Sequence, residues 1–182
     1  MNAENLSDAG KVWPGEVKIG IGLNTGRCCV GNIGSQQRLN YSLIGDTVNV
    51  ASRIEGLTKI YGVPIIIGGA MAERLLDFAS IELDLVRVVG RDMPEEIFAL
   101  MGPPELAQSP DFRELRDRQT AMLVAYHDRN WDGAEAALSE LAPAAARFGL
   151  GRLMALYAER IAAYRTAPPG PDWDGVHQAT EK

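Results

Sequence analysis

Two polar side chains one helical turn apart are the residues of this sequence best suited to chemistry. Asn49 and Arg53 fall in the run YSLIGDTVNVASRIE, where apolar residues recur at helical spacing. Residues four positions apart leave the same face of a helix, so the carboxamide and the guanidinium lie side by side. Such a pair near a helix start favours an anion site, because the helix end is positive and Arg offers phosphate a planar fork. On spacing alone, a solvated face or a helix-end salt bridge is the preferred interpretation.

The neighbouring segments must position this pair. Asp46 stands where an N-cap residue would precede a helix over Thr47 to Ile60. Upstream, Ser42 falls on a short strand-like piece, NYSLIG, and Gly45 permits a tight bend between strand and helix. A hydroxyl at this place would face a bound base while the helix faces its phosphates. Ser42 by itself is a weaker indication than the Asn–Arg pair.

Alternating apolar residues predict the strands around this segment. A β-hairpin is predicted from VKIGIGL, the turn NTGR and CCVGNIG, and a buried strand from YGVPIIIGG. There follow a short helix over AMAERLLD and an antiparallel pair, IELDLVRVVG and EEIFALMG, joined by RDMP. The glycines of GRCCVGNIG match neither a P-loop nor a dinucleotide fingerprint, so they indicate close strand packing.

Composition and charge argue against several classes of function. The net charge of −6 over 182 residues disfavours nucleic acid, because duplex binding uses a concentrated basic face. No run of about 18 apolar residues predicts a membrane span and no basic-apolar leader predicts secretion, so a cytoplasmic chain without membrane contact is expected. Cys28 and Cys29 are predicted to be reduced packing residues, and His127 and His177 lie too far apart in sequence to indicate a metal site.

The composition changes after Gly102. The predicted organisation is a polar leader, a first domain, a linker, a helical extension and an extended tail, at residues 1–16, 17–102, 103–110, 111–166 and 167–182. In the extension, LVAYHDRNWDGAEAALSEL resembles a tetratricopeptide-type helical hairpin, and one further helix follows. One such unit does not bury its own apolar face, so we expect it to pack on the first domain or on a partner. The Pro- and Gly-rich tail is predicted to be extended or disordered.

Several segments together resemble the catalytic domain of class III adenylate and guanylate cyclases. The matching pieces are IGIGLNTG, VGNIGS, YSLIGDTVNVASRIE and the closing hairpin VRVVGRDMPEEIFAL, and they extend from Val17 to Met101. The resemblance is to the second half of that domain and is most specific in GDTVNVASR. It implies an α+β fold: a ferredoxin-like antiparallel sheet of the nucleotide cyclase type, N-terminally truncated and followed by an all-α helical extension.

The resemblance also implies roles for individual residues. In the family, the Asn matching Asn49 orients the ribose, and the Arg matching Arg53 stabilises charge on the phosphate oxygens while the ribose 3′-hydroxyl attacks the α-phosphate. The position of Ser42 contributes to purine selection, and its hydroxyl resembles the bacterial adenylate type. The implied reaction converts ATP to cyclic AMP and pyrophosphate, a phosphorus–oxygen lyase activity of cyclic-nucleotide signal transduction.

Two departures from the family pattern concern the triphosphate and the metal ions. The family often has Lys in the closing hairpin where this chain has Val89, with Arg87 and Arg91 nearby, and Arg91 is the candidate triphosphate ligand. The family's metal-binding aspartates and base-selecting Lys lie in an N-terminal half that precedes Val17, so no metal ligand is assigned in this chain. Mg²⁺ or Mn²⁺ is implied for the complete enzyme, whereas this chain alone is expected to hold no metal and to be an inactive fragment.

The family's active sites form between two protomers, which implies a homodimer. One protomer binds the metals, and the other supplies the Asn and the Arg. The input signal and the membrane anchoring of a longer parent stay open. The alternative is a non-catalytic cyclase-like scaffold or protein-interaction module, whose helical extension binds a regulatory protein. A strand of the type FxDIxGF upstream in the reading frame would favour the enzyme.

Overall fold

The computed structural model describes residues 17–35, 38–87 and 93–178 of the chain. In these ranges the first part of the chain mixes strands with helices, and the last part consists mainly of three long helices. In chain order they are β1 (Ile21–Leu23), β2 (Cys29–Ser35), β3 (Arg38–Ile44), α1 (Asp46–Tyr61), β4 (Ile65–Gly68), α2 (Gly69–Ala72), β5 (Ala79–Arg87), β6 (Glu95–Gly102), α3 (Pro104–Ala107), α4 (Pro110–His127), α5 (Trp131–Arg147), α6 (Gly151–Thr166) and β7 (His177–Gln178). No helix in the described ranges has the length and apolar character that crossing a membrane requires.

Five strands form one mixed sheet in the order β1-β4-β6-β5-β7. The central pairs β4–β6 and β6–β5 are antiparallel, whereas the edge strands β1 and β7 run parallel to β4 and β5. The predicted antiparallel pair is confirmed as β5 and β6, with Ile81 opposite Ala99. Strands β2 and β3 form a separate two-stranded sheet. The fold class is therefore α+β followed by a helical extension, as predicted, but the sheet is mixed rather than antiparallel because β1 and β7 add parallel edge strands.

The predicted hairpin between VKIGIGL and CCVGNIG is wrong. Strand β1 pairs in parallel with β4, Ile21 opposite Ile65, and β2 pairs instead with β3. The reason is visible at Gly22, where a Cβ would stand 2.2 Å from the Ala51 carbonyl oxygen. Because this glycine has no side chain, α1 lies directly on β1 and also contacts β4. Strand β1 therefore lies between α1 and β4 in the fold rather than beside β2.

Helix α1 begins one residue earlier than predicted. Gly45 is the N-cap residue, and Asp46 lies in the first turn rather than at the cap. An acidic side chain in the first turn is still favourable, because the helix start is positive. A Cβ at Gly45 would stand 3.0 Å from the Arg27 carbonyl oxygen and 3.1 Å from the Cys28 Cα, so glycine allows the chain to turn from β3 into α1 past the start of β2.

The helical extension packs on the first domain, one of the two outcomes expected from the sequence. Buried side chains of α1, β4, β5, β6 and α4 to α6 form a single hydrophobic cluster. Gln119 on α4 donates to the Glu82 carbonyl oxygen at 3.1 Å. Tyr157 on α6 donates to the Leu83 carbonyl oxygen at 2.7 Å. Both hydrogen bonds are accepted by backbone carbonyl groups of β5, so the extension packs over β5, which lies next to the edge strand β7.

The tail packs against the extension and the sheet through residue 178. Trp173 lies against Tyr126, with ring centroids 5.6 Å apart, and its carbonyl oxygen accepts a hydrogen bond from Arg129. His177 and Gln178 then pair with β5 as the short edge strand β7. Burial lowers the pKa of His177, and the neighbouring Arg160 acts in the same direction. Through β7, the tail adds an edge strand to the sheet.

Candidate functional site

Asn49 and Arg53 lie on the exposed face of the first half of α1. Their neighbours Val50 and Ile54 are buried under the helix, so the helix separates a packed face from an open one. The side chains of Asn49 and Arg53 have no hydrogen-bond or ion-pair partner among the described residues. The carboxamide and the guanidinium are one turn apart and both are available to a ligand.

Ser42 lies on β3, the strand that leads into this helix. It pairs with Gly31 of β2, and a Cβ at Gly31 would meet nothing within 4 Å. The Ser42 side chain is exposed and has no hydrogen-bond partner within the described ranges. Strand β3 ends at Ile44 and α1 begins at Asp46, so Ser42 lies four residues before the helix, with Gly45 as the single connecting residue.

Two buried oxygens that the sequence did not predict belong to the loop after β1 and to the start of α1. Asn24 Oδ1, after β1, and Thr47 Oγ1, in the first turn of α1, have no hydrogen-bond partner among the described residues. A Cβ at Gly26 would stand 3.1 Å from Thr47 Oγ1, so the loop backbone passes close to the helix start. Buried polar atoms normally have a partner, so Thr47 joins the candidate site, whereas Asn24 Oδ1 lies beside Gly68 at the end of β4. The signals were the NTG and DT dipeptides, interpreted only as turn and cap chemistry.

The closing hairpin is described only in part. Arg91, the candidate triphosphate ligand, and Val89 lie outside the described residues. Arg87 is described, and its guanidinium donates to Asp174 of the tail at 2.9 Å. This hydrogen bond lowers the pKa of the Asp174 carboxyl group, with help from the Val176 N–H group. The Arg87 side chain therefore binds the tail, where it helps to hold β7 on the sheet.

The described residues do not fit a site for Mg²⁺ or Mn²⁺. Within the described ranges there is no group of three or more His, Cys, Asp or Glu side chains arranged to hold a metal ion. Asp46 is the acidic residue in the first turn of α1, three positions before Asn49. The roles considered below therefore belong only to this chain's own polar side chains.

The fold and these side chains together define a class of protein. In an α+β fold, helix α1 exposes Asn49 and Arg53, and the preceding strand β3 exposes the hydroxyl group of Ser42. The adenylate and guanylate cyclase catalytic domain family matches residues 4–100. The chain belongs to this family.

Individual relatives are adenylate cyclases from bacteria. Adenylate cyclase 1 of Rhizobium meliloti (strain 1021) is 36% identical over 88 residues, which cover 48% of this chain and 13% of that protein. The adenylate cyclase of Anabaena cylindrica is 39% identical over 101 residues, which cover 53% of this chain and 20% of that protein. This chain thus spans a fifth or less of either relative.

Solved structures of adenylyl cyclases are similar over part of the chain. The adenylyl cyclase from P. aeruginosa has 32% identity and a TM-score of 0.37, covering 42% of this chain and 39% of that one. A bacterial light-regulated adenylyl cyclase has 25% identity and a TM-score of 0.39, covering 55% of this chain and 48% of that one.

Proposed function

We propose that this chain supplies the ribose- and phosphate-binding half of an adenylate cyclase active site, which converts ATP to cyclic AMP and pyrophosphate. The observation that carries the proposal is the exposed Asn49–Arg53 pair on α1, with no partner among the described residues, in a chain of the cyclase family. Both named bacterial relatives are adenylate cyclases, which supports ATP over GTP.

Arg53 is the residue that stabilises the transition state. As the ribose 3′-hydroxyl attacks the α-phosphate, negative charge grows on the phosphoryl oxygens. A guanidinium held on a helix meets that charge without reorganising, and its planar fork matches the oxygens. The exposed position of Arg53 suits a site that closes only when a second subunit covers it, because excluding water strengthens the attraction.

Asn49 and Ser42 orient the nucleoside. The Asn49 carboxamide, one turn before Arg53, donates to or accepts from a ribose hydroxyl group, which holds the 3′-oxygen in line with the phosphorus. Ser42, on the strand before the helix, offers a hydroxyl group to the edge of the adenine ring. The three side chains thus contact base, sugar and phosphate in the order in which the chain presents them.

The exposed apolar surface around this site supports a dimer. The two-stranded sheet of β2 and β3 projects from the rest of the molecule and contacts it through α1. Large apolar side chains of this sheet are exposed, up to 77% for Tyr41, and they are Val30, Ile33, Leu39, Tyr41, Leu43 and Ile44. Val30, Leu39, Tyr41 and Leu43 share one face of this sheet in the β2–β3 register, and an exposed apolar face of this kind marks an interaction site. A second protomer of cyclase type is the occupant we propose, and it would complete the active site.

A complementation assay tests this proposal. The partner is an adenylate cyclase catalytic domain whose own arginine at the position of Arg53 is replaced by alanine, so that it lacks only the transition-state cation. Mixed with this chain, ATP and Mn²⁺, it should form cyclic AMP in proportion to the chain added. The Arg53→Ala chain should restore at most about a hundredth of that activity, whereas Lys59→Ala, an exposed residue in the last turn of α1, should restore activity fully.

Sedimentation of the same mixtures separates the possible failures. Cyclic AMP production that needs the intact chain supports a catalytic role for this half of the site. Association of the two proteins without any cyclic AMP would contradict the proposal and support a non-catalytic scaffold. Rapid turnover by this chain alone would show that it also has metal ligands, although the described residues include no group of side chains arranged to hold a metal ion.

A further inference from the structure

A buried polar network joins the end of α1 to the helical extension. The hydroxyl group of Tyr61, the last residue of α1, donates to Asp84 Oδ2 at 2.6 Å. Arg160 of α6 donates to the same oxygen at 2.5 Å and lies 3.4 Å from the Tyr61 oxygen. Asp84 belongs to β5, so the three residues connect the helix of the candidate site, the sheet and the extension. We call them the Tyr61–Asp84–Arg160 network.

The network is buried and its acceptors are satisfied. Tyr61 and Asp84 are 0% exposed and Arg160 is 9% exposed. The second oxygen of Asp84 accepts a hydrogen bond from the Leu85 N–H group at 2.8 Å. The guanidinium also lies over the Tyr157 ring, 5.4 Å from its centroid. Burial, together with the charge of Asp84, raises the pKa of Tyr61, so its hydroxyl group stays protonated and donates.

Stability alone does not account for this arrangement. A buried ion pair repays the cost of removing two charges from water only when its geometry is good, and apolar replacements are often as stable. Hydrogen bonds to a buried carboxylate depend on direction. A carboxylate with two defined donors is therefore satisfied in only one relative orientation of the elements that carry those donors. Here the elements that it aligns are α1 and α6.

The network acts at the far end of the helix that carries the candidate site. Arg53 precedes Tyr61 by eight residues, or about 12 Å along a helix that rises 1.5 Å per residue. A second contact reinforces the first: a Cβ at Gly62, the C-cap of α1, would stand 2.4 Å from Arg152 Cβ on α6. The extension therefore contacts the C-terminal end of α1 at two points. If that end of the helix tilts, Asn49 and Arg53 near its other end are displaced.

We propose that Arg160 is a positioning residue for cyclase chemistry, acting through Asp84 and Tyr61 on the placement of α1 and hence of Asn49 and Arg53. The inference rests on the proposed function, because it assigns a catalytic consequence to the position of α1. An in-line displacement is sensitive to such placement, since a shift of about 1 Å costs on the order of a hundredfold in rate. The helical extension is then part of the catalytic apparatus.

The first test is hydrogen exchange on the full chain, which needs no activity. Tyr61→Phe removes one hydroxyl group and leaves the Asp84–Arg160 pair in place. We expect the α1 amides to exchange about tenfold faster, the fold-change for one buried hydrogen bond to a charged group. Tyr157→Phe is the matched control, because its hydroxyl group bonds to Leu83 and ties α6 to β5 without α1. It should leave α1 exchange unchanged relative to the rest of the chain.

The second test is kinetic and uses the complementation assay. Tyr61→Phe and Arg160→Gln should lower kcat by about tenfold and change KM by less than twofold, since the ligand contacts remain while their alignment is lost. Arg160→Lys should recover part of the loss, because it restores the charge without the planar fork. Arg165→Gln is the control on the same helix, since among the described residues Arg165 pairs with Asp132 and Glu135, both of α5.

The two tests distinguish the ways in which the proposal fails. If the wild-type chain yields no cyclic AMP, the proposed function fails, and the exchange experiment still decides whether the network holds α1. If Tyr61→Phe leaves α1 exchange at the wild-type rate, the positioning role is wrong. A kcat per folded molecule that is equal in Tyr61→Phe and wild type also overturns it. If Arg160→Gln does not fold, hydrogen exchange and kcat are both measured on Tyr61→Phe.

Discussion

At the scale of single residues, exposure separates the functional face of α1 from its structural face. Val50 and Ile54 are buried, whereas Asn49 and Arg53 point away from the sheet. Polar side chains that gain nothing from the fold contribute to function or to solubility. The helix start, the hydroxyl group of Ser42 and the family match favour function for this pair.

The first prediction concerns Arg53 and Asn49. In the complemented enzyme, Arg53→Ala should lower kcat by about a hundredfold or more with a smaller effect on KM, because the contact forms mainly in the transition state. Asn49→Ala should behave similarly. Steady-state kinetics with ATP check this, and Lys59→Ala serves as the control on the same helix. A loss of ATP affinity with unchanged kcat would make Arg53 a ground-state anchor instead.

At the scale of elements, β5 carries most of the connections between the sheet and the extension. Its buried Asp84 binds α1 and α6, and its carbonyl groups accept hydrogen bonds from α4 and α6. On the same strand, Glu82 borders a cavity of about 300 Å³ together with Glu96, Phe98 and Arg116. Desolvation, with the negative charges of Glu96 and Asp84, raises the pKa of Glu82.

The second prediction follows from the sign of that shift. A carboxyl group with a raised pKa binds protons more readily in the folded state, so its favourable contribution is present at low pH and is lost as pH rises through the folded-state pKa. Glu82→Gln should therefore raise the free energy of unfolding at pH 7. The gain should vanish below about pH 4, near the pKa of an unfolded glutamate.

Urea unfolding at pH 4 and pH 7 measures this difference. Glu96→Gln is the matched variant, because it removes one cause of the shift and leaves the burial of Glu82 intact. It should give a smaller gain than Glu82→Gln. A Glu82→Gln variant that is less stable at pH 7 than wild type would contradict the account.

The third prediction concerns the aromatic cluster of the extension. Tyr126 is 2% exposed, and its ring contacts those of five other residues at centroid distances up to 6.1 Å, namely His127, Trp131, Tyr157, Tyr164 and Trp173. Tyr126→Ala should cost about 3–5 kcal/mol in unfolding free energy, the usual cost of removing a large buried ring. Trp131 is only partly buried, so Trp131→Ala should cost less. Chemical denaturation of both variants checks the order, and the reverse order would make Trp131 the centre of the cluster.

At the scale of the whole molecule, the first domain and the extension share one core. Buried residues from α1 and β4 to β6 are continuous with those of α4, α5 and α6. Phe112, Leu115 and Met122 of α4 are fully buried, although the sequence after Gly102 has the composition of a separate unit. The Pro-rich linker therefore joins parts that pack together.

The fourth prediction is that a Met1–Met101 fragment aggregates or unfolds without cooperativity. Removing the extension would expose the face of β5 and leave Asp84 without Arg160, a buried charge without its partner. Circular dichroism during thermal unfolding and light scattering measure both effects. A chain ending at Gln178 is the control, since it keeps every described element. A soluble fragment with a sharp unfolding transition would show that the extension folds as an independent module.

Local patterns in the sequence were sufficient for the family, the strand–helix segment that carries Ser42, Asn49 and Arg53, and the β5–β6 pair. Each of these is encoded within a short stretch, because periodicity shows which face of an element is buried and a motif keeps its spacing along the chain. The end of α1 was predicted within one residue, and its start missed Gly45 only because Asp46 is the more common cap type.

The tertiary structure alone decided what those buried faces pack against. β1 pairs with β4 rather than with β2, Arg160 meets Asp84 across 76 residues of sequence, and Tyr61 lies 99 residues from Arg160. The oxygens of Asn24 and Thr47 are likewise buried by distant backbone. A local pattern marks a side chain as apolar or polar, but its partner depends on which arrangement buries the most apolar surface while satisfying the polar groups of the whole chain.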